Sequence, residues 1–491
     1  MVYRLWTSLR KKQYLCSLMK KAAGDLLFEN VSIIDIAEEG KGVGKADDFV
    51  LFVDKAVPGD VADIKVYRKK KNFGEGKIAE LKKASKYRTE AFCEHFGTCG
   101  GCKWQHMSYD AQLLFKQKSV ESALSRLAGL DVSGMLPIIP SPADKYYRNK
   151  LEFTFSNKRW LNDGENRTDE VLDMDALGFH IPGRFDKILD VHHCYLQADP
   201  SNDLRNRIRE YAKKHNMSFY DLKNHAGALR NLIIRTSSTG ELMAIVIFAY
   251  PTDEEIKGLM SFVDENFPQI TSLLYIVNQK KNDTIFDQEV IAWRGPEFIY
   301  EEMTDANGKT VRYRIGPKSF YQTNSVQAAK LYEVTRDFAG LQGNELVYDL
   351  YTGAGTIANF IAGQVKEVVG VEYVPSAIED AKINSQINQI TNTKFYAGDM
   401  KDVLNADFVA QHGKPDVIIT DPPRAGMHGD VVARLMEIET KKIVYVSCNP
   451  ATQARDLAIL KEKYNVVKIQ PVDMFPHTQH VENVVLLEIR D

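Results

Sequence analysis

Beyond Arg312, four short apolar runs, LVYDL, VVGVEY, DVIITD and KIVYVS, recur at helix-length intervals, and each ends in polar or glycine residues. Runs that are apolar on both faces suit strands of a parallel sheet covered by helices, so residues 312–491 are predicted to form a doubly wound, Rossmann-like α/β domain. Such sheets gather their ligands at the carboxyl ends of the strands. The residues that close each run are therefore the first candidates for chemistry.

At 491 residues the chain exceeds one ordinary core, and two further regions precede the α/β pattern. Residues 27–86 alternate as VSIIDI, DFVLFV and ADIKVY, separated by the turn-rich GKGVGKADD and PGD, which predicts a small five-stranded barrel. The formal net charge is −3, yet the window Val61–Glu90 holds ten Lys and Arg against four Asp and Glu. A basic face of this kind either binds nucleic acid or merely protects a sheet edge. Residues 87–311 form a central β-rich region: a cysteine cluster, an amphipathic helix over Tyr109–Leu127, then a strand-rich stretch with basic and aromatic residues in YYRNKLEFTF and LRNLIIR. Residues 1–26, which include Cys16, read as an extension. Their apolar residues are broken by Arg4, Arg10, Lys11 and Lys12, and no run reaches bilayer length, so neither a signal nor a span is expected and the cytoplasm is the expected compartment.

Cys93, Cys99 and Cys102 stand as CxxxxxCGGC, where Gly100 and Gly101 let the backbone fold tightly around one centre. Clustered thiols are a metal-site signal, and Cys194 in HHCYL is the available fourth donor. Four thiolates accept either zinc or an iron–sulfur cluster, and buried thiols without metal are the plain alternative.

In VYDLYTGAGT, Asp349 closes a buried strand, and Gly353 and Gly355 let a ligand approach the turn. Glu372 ends the next strand, where a carboxylate takes the ribose hydroxyls of a nucleoside, and Asp399 closes KFYAGD beside the expected adenine position. These features suit a nicotinamide cofactor as well as S-adenosylmethionine. An NAD-dependent oxidoreductase lacks support in the rest of the chain, which offers no substrate-handling His and Arg pair. In DPPRAG, Arg424 occupies the place where amino-group methyltransferases carry an aromatic residue, so an exocyclic amine is not the expected target.

Methylation at C5 of uracil asks for different residues. C5 is a poor nucleophile until a thiolate adds to C6, and the C5 proton must then leave. Cys448 in IVYVSCNP follows a buried strand at the sheet edge, and Glu482 in HTQHVENVVLLEI precedes the final strand. Taken singly, the first reads as a strand-end cysteine and the second as a strand-end charge.

In order, FYQTN, DLYTGAG, DPPRAG, SCNP and HVE resemble the uracil-5 RNA methyltransferases across the whole catalytic domain. GKGVGK, PGD and the lysines after them resemble a TRAM domain, an RNA-binding barrel of the oligonucleotide-binding type. CEHFGTCGGCKWQH resembles the cluster segment of the bacterial 23S rRNA uracil-5 methyltransferases, which implies a 4Fe–4S cluster on Cys93, Cys99, Cys102 and Cys194. Radical enzymes that methylthiolate tRNA also combine a TRAM barrel with a cluster, but their CxxxCxxC spacing is missing here. The resemblance implies Cys448 as nucleophile and Glu482 as base. It places Gln322, Tyr351, Thr356, Glu372, Asp399 and Asp421 at the S-adenosylmethionine site, with Asp421 also anchoring the target base and Arg424 facing the substrate. Phe320 is either a stacking partner for an extruded uracil or a core aromatic. Members often carry Phe at Tyr351 and Asn at Thr356 and Asp399. Barrel and cluster together imply 23S rRNA as substrate, because relatives that modify tRNA generally lack both. A tRNA uracil-5 methyltransferase and a noncatalytic RNA-binding protein are the alternatives, and no obligate protein partner is implied.

Overall fold

The structure, a computed structural model, describes residues 26–37, 39–162, 165, 172–304 and 308–490. The expected N-terminal extension, with Cys16, lies outside the described residues. The chain divides into two compact units. The first comprises Met1–Gly97, Cys102–Ser119 and His477–Gln479, and the second Thr98–Gly101, Val120–Pro476 and His480–Asp491.

In the first unit, β1 (Leu26–Ile36), β2 (Gly42–Ala46), β3 (Phe49–Asp54), β4 (Val61–Lys69) and β5 (Phe73–Lys83) close into the expected five-stranded barrel, in the order β1-β2-β3-β5-β4. Its core is Leu26, Val31, Ile33, Leu51, Val53, Ala62, Ile64 and Val66. GKGVGK fits this core for a steric reason. Gly42 and Gly44 share one face of β2 by the two-residue strand period, and a Cβ there would meet Ala56 at 2.8 Å and Val31 at 2.6 Å. The bare backbone lets β1 and β3 close over it. A helix, Tyr109–Leu127, begins in this unit.

The second unit holds two seven-stranded sheets and a hairpin. The first sheet contains β6 (Lys150–Ser156), β7 (Ala176–Ile181), β8 (Arg184–Asp190), β9 (Leu229–Thr236), β10 (Leu242–Phe248), β11 (Ser272–Val277) and β12 (Ile291–Arg294), ordered β12-β11-β10-β9-β6-β7-β8. The region expected to be strand-rich also carries helices Ser201–Lys214 and Asp253–Asn266. The second of these is the crossover between β10 and β11, which run parallel. LMAIVIF in β10 is buried on both faces, so its apolar run is the mark of a covered central strand.

The hairpin β13 (Ile299–Thr304) and β14 (Thr310–Ile315) and the helix Ser325–Ala339 lead into the second sheet. That sheet contains β15 (Leu346–Leu350), β16 (Glu367–Glu372), β17 (Thr393–Ala397), β18 (Val417–Thr420), β19 (Lys442–Ser447), β20 (Tyr464–Val472) and β21 (Glu482–Ile489), ordered β17-β16-β15-β18-β19-β21-β20. The first five strands are parallel, while β21 runs antiparallel between β19 and β20. The strand order reverses between β15 and β18, and this switch point opens the crevice where doubly wound sheets bind ligands. Among the described residues, no helix is long and apolar enough to cross a membrane.

Candidate active site

Six of the seven strands of the second sheet, all but β20, deliver a candidate residue to one edge. Asp349 lies in the last turn of β15, Glu372 ends β16, and Asp399 follows β17. Asp421 follows β18 and Cys448 follows β19, while Glu482 is the first residue of the antiparallel β21. The last pair of the ladder is Ser447 with Asn483, the neighbours of Cys448 and Glu482, and the Cys448 thiol feels the Glu482 charge. Two residues 34 positions apart are thus brought together by strand pairing, and Glu482 starts the final strand instead of preceding it.

The turn after β15 is built around Glu372. Its carboxylate accepts the Gly353 N–H (3.2 Å) and the Val374 N–H (3.0 Å). Tyr351, Gly353 and Gly355 all hold positive φ, at 63°, 55° and 71°. A tyrosine held in the left-handed region is a strained feature of the kind found at ligand sites. At Gly355 a Cβ would meet Ala381 and Asn359 at 2.9 Å, so glycine is required for the helix beginning at Thr356 to approach. Asp349 is buried, and its Oδ2 accepts the Thr352 hydroxyl. Its Oδ1 has no hydrogen-bond partner among the described residues. An orphaned buried carboxylate oxygen fits a cationic or hydroxyl-bearing ligand such as S-adenosylmethionine, whose donors would satisfy it.

Electrostatics distinguish this edge. Burial, with Asp421 beside it, pushes the Glu482 carboxyl up to about 8, against a smaller opposing pull from Arg424. Burial and the neighbouring Asp349 push Asp421 up to about 7, and burial pushes Asp349 to about 7. The Cys448 thiol is raised to about 11 by burial and by the carboxylates of Glu482 and Asp421, with Arg424 the countering cation. A thiol, two carboxyls and one guanidinium therefore share one electrostatic neighbourhood. The arrangement suits covalent addition followed by proton removal, because both groups change protonation during such a cycle.

The remaining predicted residues are placed as follows. The main-chain carbonyl of Gln322 accepts the Asn149 side-chain amide (2.9 Å), which ties FYQTN to the YYRNK segment. Thr356 is held twice, its hydroxyl against the Tyr332 hydroxyl (3.1 Å) and its carbonyl by the Tyr313 hydroxyl (2.9 Å). Asp399 caps a short helix and pairs with Lys401 (3.3 Å). Phe320 is 73% exposed, which removes the core-aromatic alternative. Arg424 is exposed, and its carbonyl accepts from Asn449 and Thr452, both at 3.2 Å.

Two contributors were not read from the sequence. Tyr332, buried in the helix Ser325–Ala339, feels Asp421, Asp349 and Glu482 together. Asp456, 1% exposed, accepts the Met427 N–H (2.9 Å) and the Tyr445 hydroxyl (2.7 Å) and so fixes the end of the DPPRAG loop. A buried acid on the apolar face shared by Ala454, Leu457 and Leu460 was the available signal.

Of the cluster cysteines, Cys93 and Cys102 belong to the first unit, and Cys99 and Cys194 to the second. Burial raises the Cys93 thiol, whose own N–H donates to Gln105 Oε1 (3.2 Å). The Gly101 N–H donates to Cys99 Sγ (3.3 Å), a contact that favours an anionic sulfur. Cys194 is buried beside Arg205, a fully buried guanidinium that also feels its charge and whose Nη1 has no hydrogen-bond partner. The N–H on Cys99 and the guanidinium beside Cys194 suit anionic sulfurs, whereas burial alone favours the protonated Cys93 thiol.

Comparison with known proteins gives a consistent set of likenesses. The family model described as tRNA (Uracil-5-)-methyltransferase matches residues 236–490, and the TRAM domain model matches residues 27–79. Proteins described as uncharacterized RNA methyltransferases are similar over nearly their full length. The one from Bacteroides thetaiotaomicron is 56% identical, covering 93% of this chain and 100% of the relative. The one from Chlorobaculum tepidum is 36% identical, covering 95% and 96%. Among solved structures, the tRNA (uracil-54, C5)-methyltransferase of Pyrococcus abyssi, in complex with S-adenosyl-L-homocysteine, is similar with a TM-score of 0.71 at 29% identity, covering 93% of this chain and 99% of that one.

Proposed function

Because the chain belongs to the RNA uracil-5 methyltransferase family, with a TRAM domain at its N-terminal end, and is an S-adenosylmethionine-dependent enzyme, we propose that Cys448 and Glu482 are its nucleophile and base and that 23S rRNA is its substrate. The observation that supports the first part is the β19–β21 ladder, whose last pair, Ser447 and Asn483, adjoins the two residues at the ligand edge of the sheet.

S-adenosylmethionine supplies the methyl group as a sulfonium. The Cys448 sulfur, deprotonated, adds to C6 of uracil and leaves C5 enolate-like. C5 takes the methyl group, and S-adenosylhomocysteine departs. Glu482 as carboxylate then removes the C5 proton, the C6–S bond breaks, and the cysteine returns as thiolate. Asp421 anchors the base, Phe320 stacks on the uracil once it is out of its own stack, and Arg424 lowers the energy of both anionic groups. Glu372 takes the ribose, Asp349 with its orphaned oxygen takes a ligand donor, and Tyr351, Gly353, Gly355, Thr356, Gln322 and Asp399 line the same site.

Glu482→Gln keeps the shape and removes the base, so methylated RNA is expected to accumulate joined to Cys448 and to survive denaturing electrophoresis. Cys448→Ala is expected to lower turnover by at least about 10³-fold and to abolish that band. Normal turnover by either variant overturns the assignment.

Cys93, Cys99, Cys102 and Cys194 are proposed to hold a 4Fe–4S cluster, supported by the close sequence spacing of the first three and by the Gly101 N–H on Cys99. Four thiolates leave no iron open, so the cluster's contribution is structural or RNA-positioning, not catalytic. Protein purified without oxygen is expected to be brown and to contain iron, and Cys194→Ser is expected to bleach it. Stoichiometric zinc without iron makes the site a zinc centre instead.

The combination of barrel and cysteine set supports rRNA. The named activity of the solved relative, which acts on tRNA, supports tRNA as the second reading. Mapping 5-methyluridine in both RNAs from a deletion strain separates the two.

A further inference from the structure

The basic and aromatic segment YYRNK is not consumed by the catalytic site, and it builds a second feature within the same unit. Tyr146 is 44% exposed, holds a positive φ of 54°, and is anchored at both ends. Its N–H donates to the Tyr195 carbonyl (2.7 Å), and its hydroxyl meets His193 Nε2 (3.1 Å). The three rings form one cluster, with centroids 4.4 Å apart for His193 and Tyr195, 6.0 Å for Tyr146 and Tyr195, and 6.3 Å for Tyr146 and His193. Lys145 holds its ammonium 5.8 Å from the centre of the Tyr195 ring.

An exposed ring tethered through its hydroxyl, on a backbone that is itself hydrogen-bonded, loses little rotamer freedom when something stacks on it, and a neighbouring ammonium favours an anion beside it. Ring and cation together match one nucleotide of single-stranded RNA, base on ring and phosphate on lysine. We propose that Lys145, Tyr146, His193 and Tyr195 form a stacking site for an unpaired base of the substrate, separate from the uracil that is methylated. The inference rests on the RNA methyltransferase reading.

The test uses the full-length protein and three probes: a 12-mer of oligoadenylate, a 12-mer of oligouridylate and a 12-base-pair RNA duplex. Tyr146→Ala is expected to weaken binding of the single strands on the order of tenfold or more and to leave the duplex within about twofold, since stacking needs a free base face. Tyr146→Phe, which keeps the ring, is expected to retain most of the single-strand affinity. Equal losses on all probes, or no loss on any, overturn the stacking site. Failure of the unaltered protein to bind any RNA counts instead against the RNA methyltransferase reading. A measurement on the unaltered protein guards against misfolding of the variant. An oligonucleotide carrying 5-iodouridine, irradiated in the complex, is expected to cross-link to Tyr146, His193 or Tyr195. Cross-links confined to other residues overturn the proposal.

Discussion

The barrel and the edge of the catalytic sheet use the same acidic side chains to opposite effect. In the barrel each buried or half-buried carboxylate has its cation or its amides. Asp60, fully buried, accepts the N–H groups of Val57 (2.7 Å) and Ser85 (2.9 Å) and both Nε and Nη2 of Arg88 (2.8 and 2.7 Å). Glu75 takes Lys41 and Arg68, each at 2.7 Å, and the Lys41 bond holds its carboxyl below the ordinary range. The Asn30 N–H, with Lys82, does the same for Asp63. At the sheet edge Asp421 feels Asp349 and Glu482 feels Asp421, Arg424 opposes only the Glu482 shift, and burial drives all three carboxyls upward. Carboxylates are matched where the fold uses them and left mismatched where a ligand completes the set. Charge mismatch at such an edge lowers stability in return for reactivity.

The two regions should therefore respond to pH with opposite sign. A carboxyl held low in the folded state contributes stability present above its unfolded value and lost as pH falls. A carboxyl pushed high contributes stability that is full below its unfolded value and lost as pH rises through the folded one. The largest expected effect is on the barrel, where Asp60→Ala strands Arg88 and two amides and should cost about 3–5 kcal/mol. Urea unfolding of the full chain measures it. Next, Glu482→Gln should stabilise the ligand-free protein at pH 8 by roughly 2–4 kcal/mol, and by almost nothing at about pH 3, where Glu482 is neutral in the folded and the unfolded chain alike. If Glu482→Gln destabilises at pH 8 as Asp60→Ala does, the contrast between the regions fails. A smaller effect is kinetic. In Glu482→Gln only thiolate formation limits the covalent adduct, and burial still holds the Cys448 thiol above its ordinary range, so the adduct rate should rise by up to about tenfold per pH unit between pH 7 and 9. A flat profile would show that RNA binding itself deprotonates Cys448.

How much of this was legible follows from what fixes each residue. Asp349, Glu372, Asp421 and Cys448 close apolar runs, and a parallel sheet sends such positions to one edge whatever the details, so local pattern was sufficient. Glu482 was harder. Its partner is set by antiparallel register across 34 residues, and register follows from packing that one strand's sequence does not display. Phe320 followed no rule either, since exposure depends on the loop around it. Tyr332 was invisible because it reads locally as a residue on a helix, and its role comes from what the helix is packed against, while Asp456 left a signal, an acid on an apolar helix face, that did not name its partners. The helices Ser201–Lys214 and Asp253–Asn266 were absorbed into a strand-rich reading because runs such as LRNLIIR on either side dominated the pattern.

The smallest effect tests the barrel side most finely. Lys41 is 20% exposed and Glu75 16%, so their ion pair is half screened and should contribute only about 0.5–1 kcal/mol at neutral pH. Lys41→Met removes the cation but keeps the stem, and Arg68 remains as a second, more exposed partner for Glu75. The loss should be visible at pH 7 and should vanish as Glu75 becomes protonated below its ordinary range, because the pair has value only while the carboxylate is charged. Hydrogen exchange of β4 and β5 amides in the full chain reads this locally, without interference from the catalytic sheet. A double cycle with Glu75→Gln isolates the pair from the other contacts of the Lys41 ammonium, over the Tyr67 ring and beside Asp54. A coupling that persists unchanged at pH 2 would mean that the pair acts through packing, and the matched-charge account of the barrel would then rest on Asp60 and Asp63.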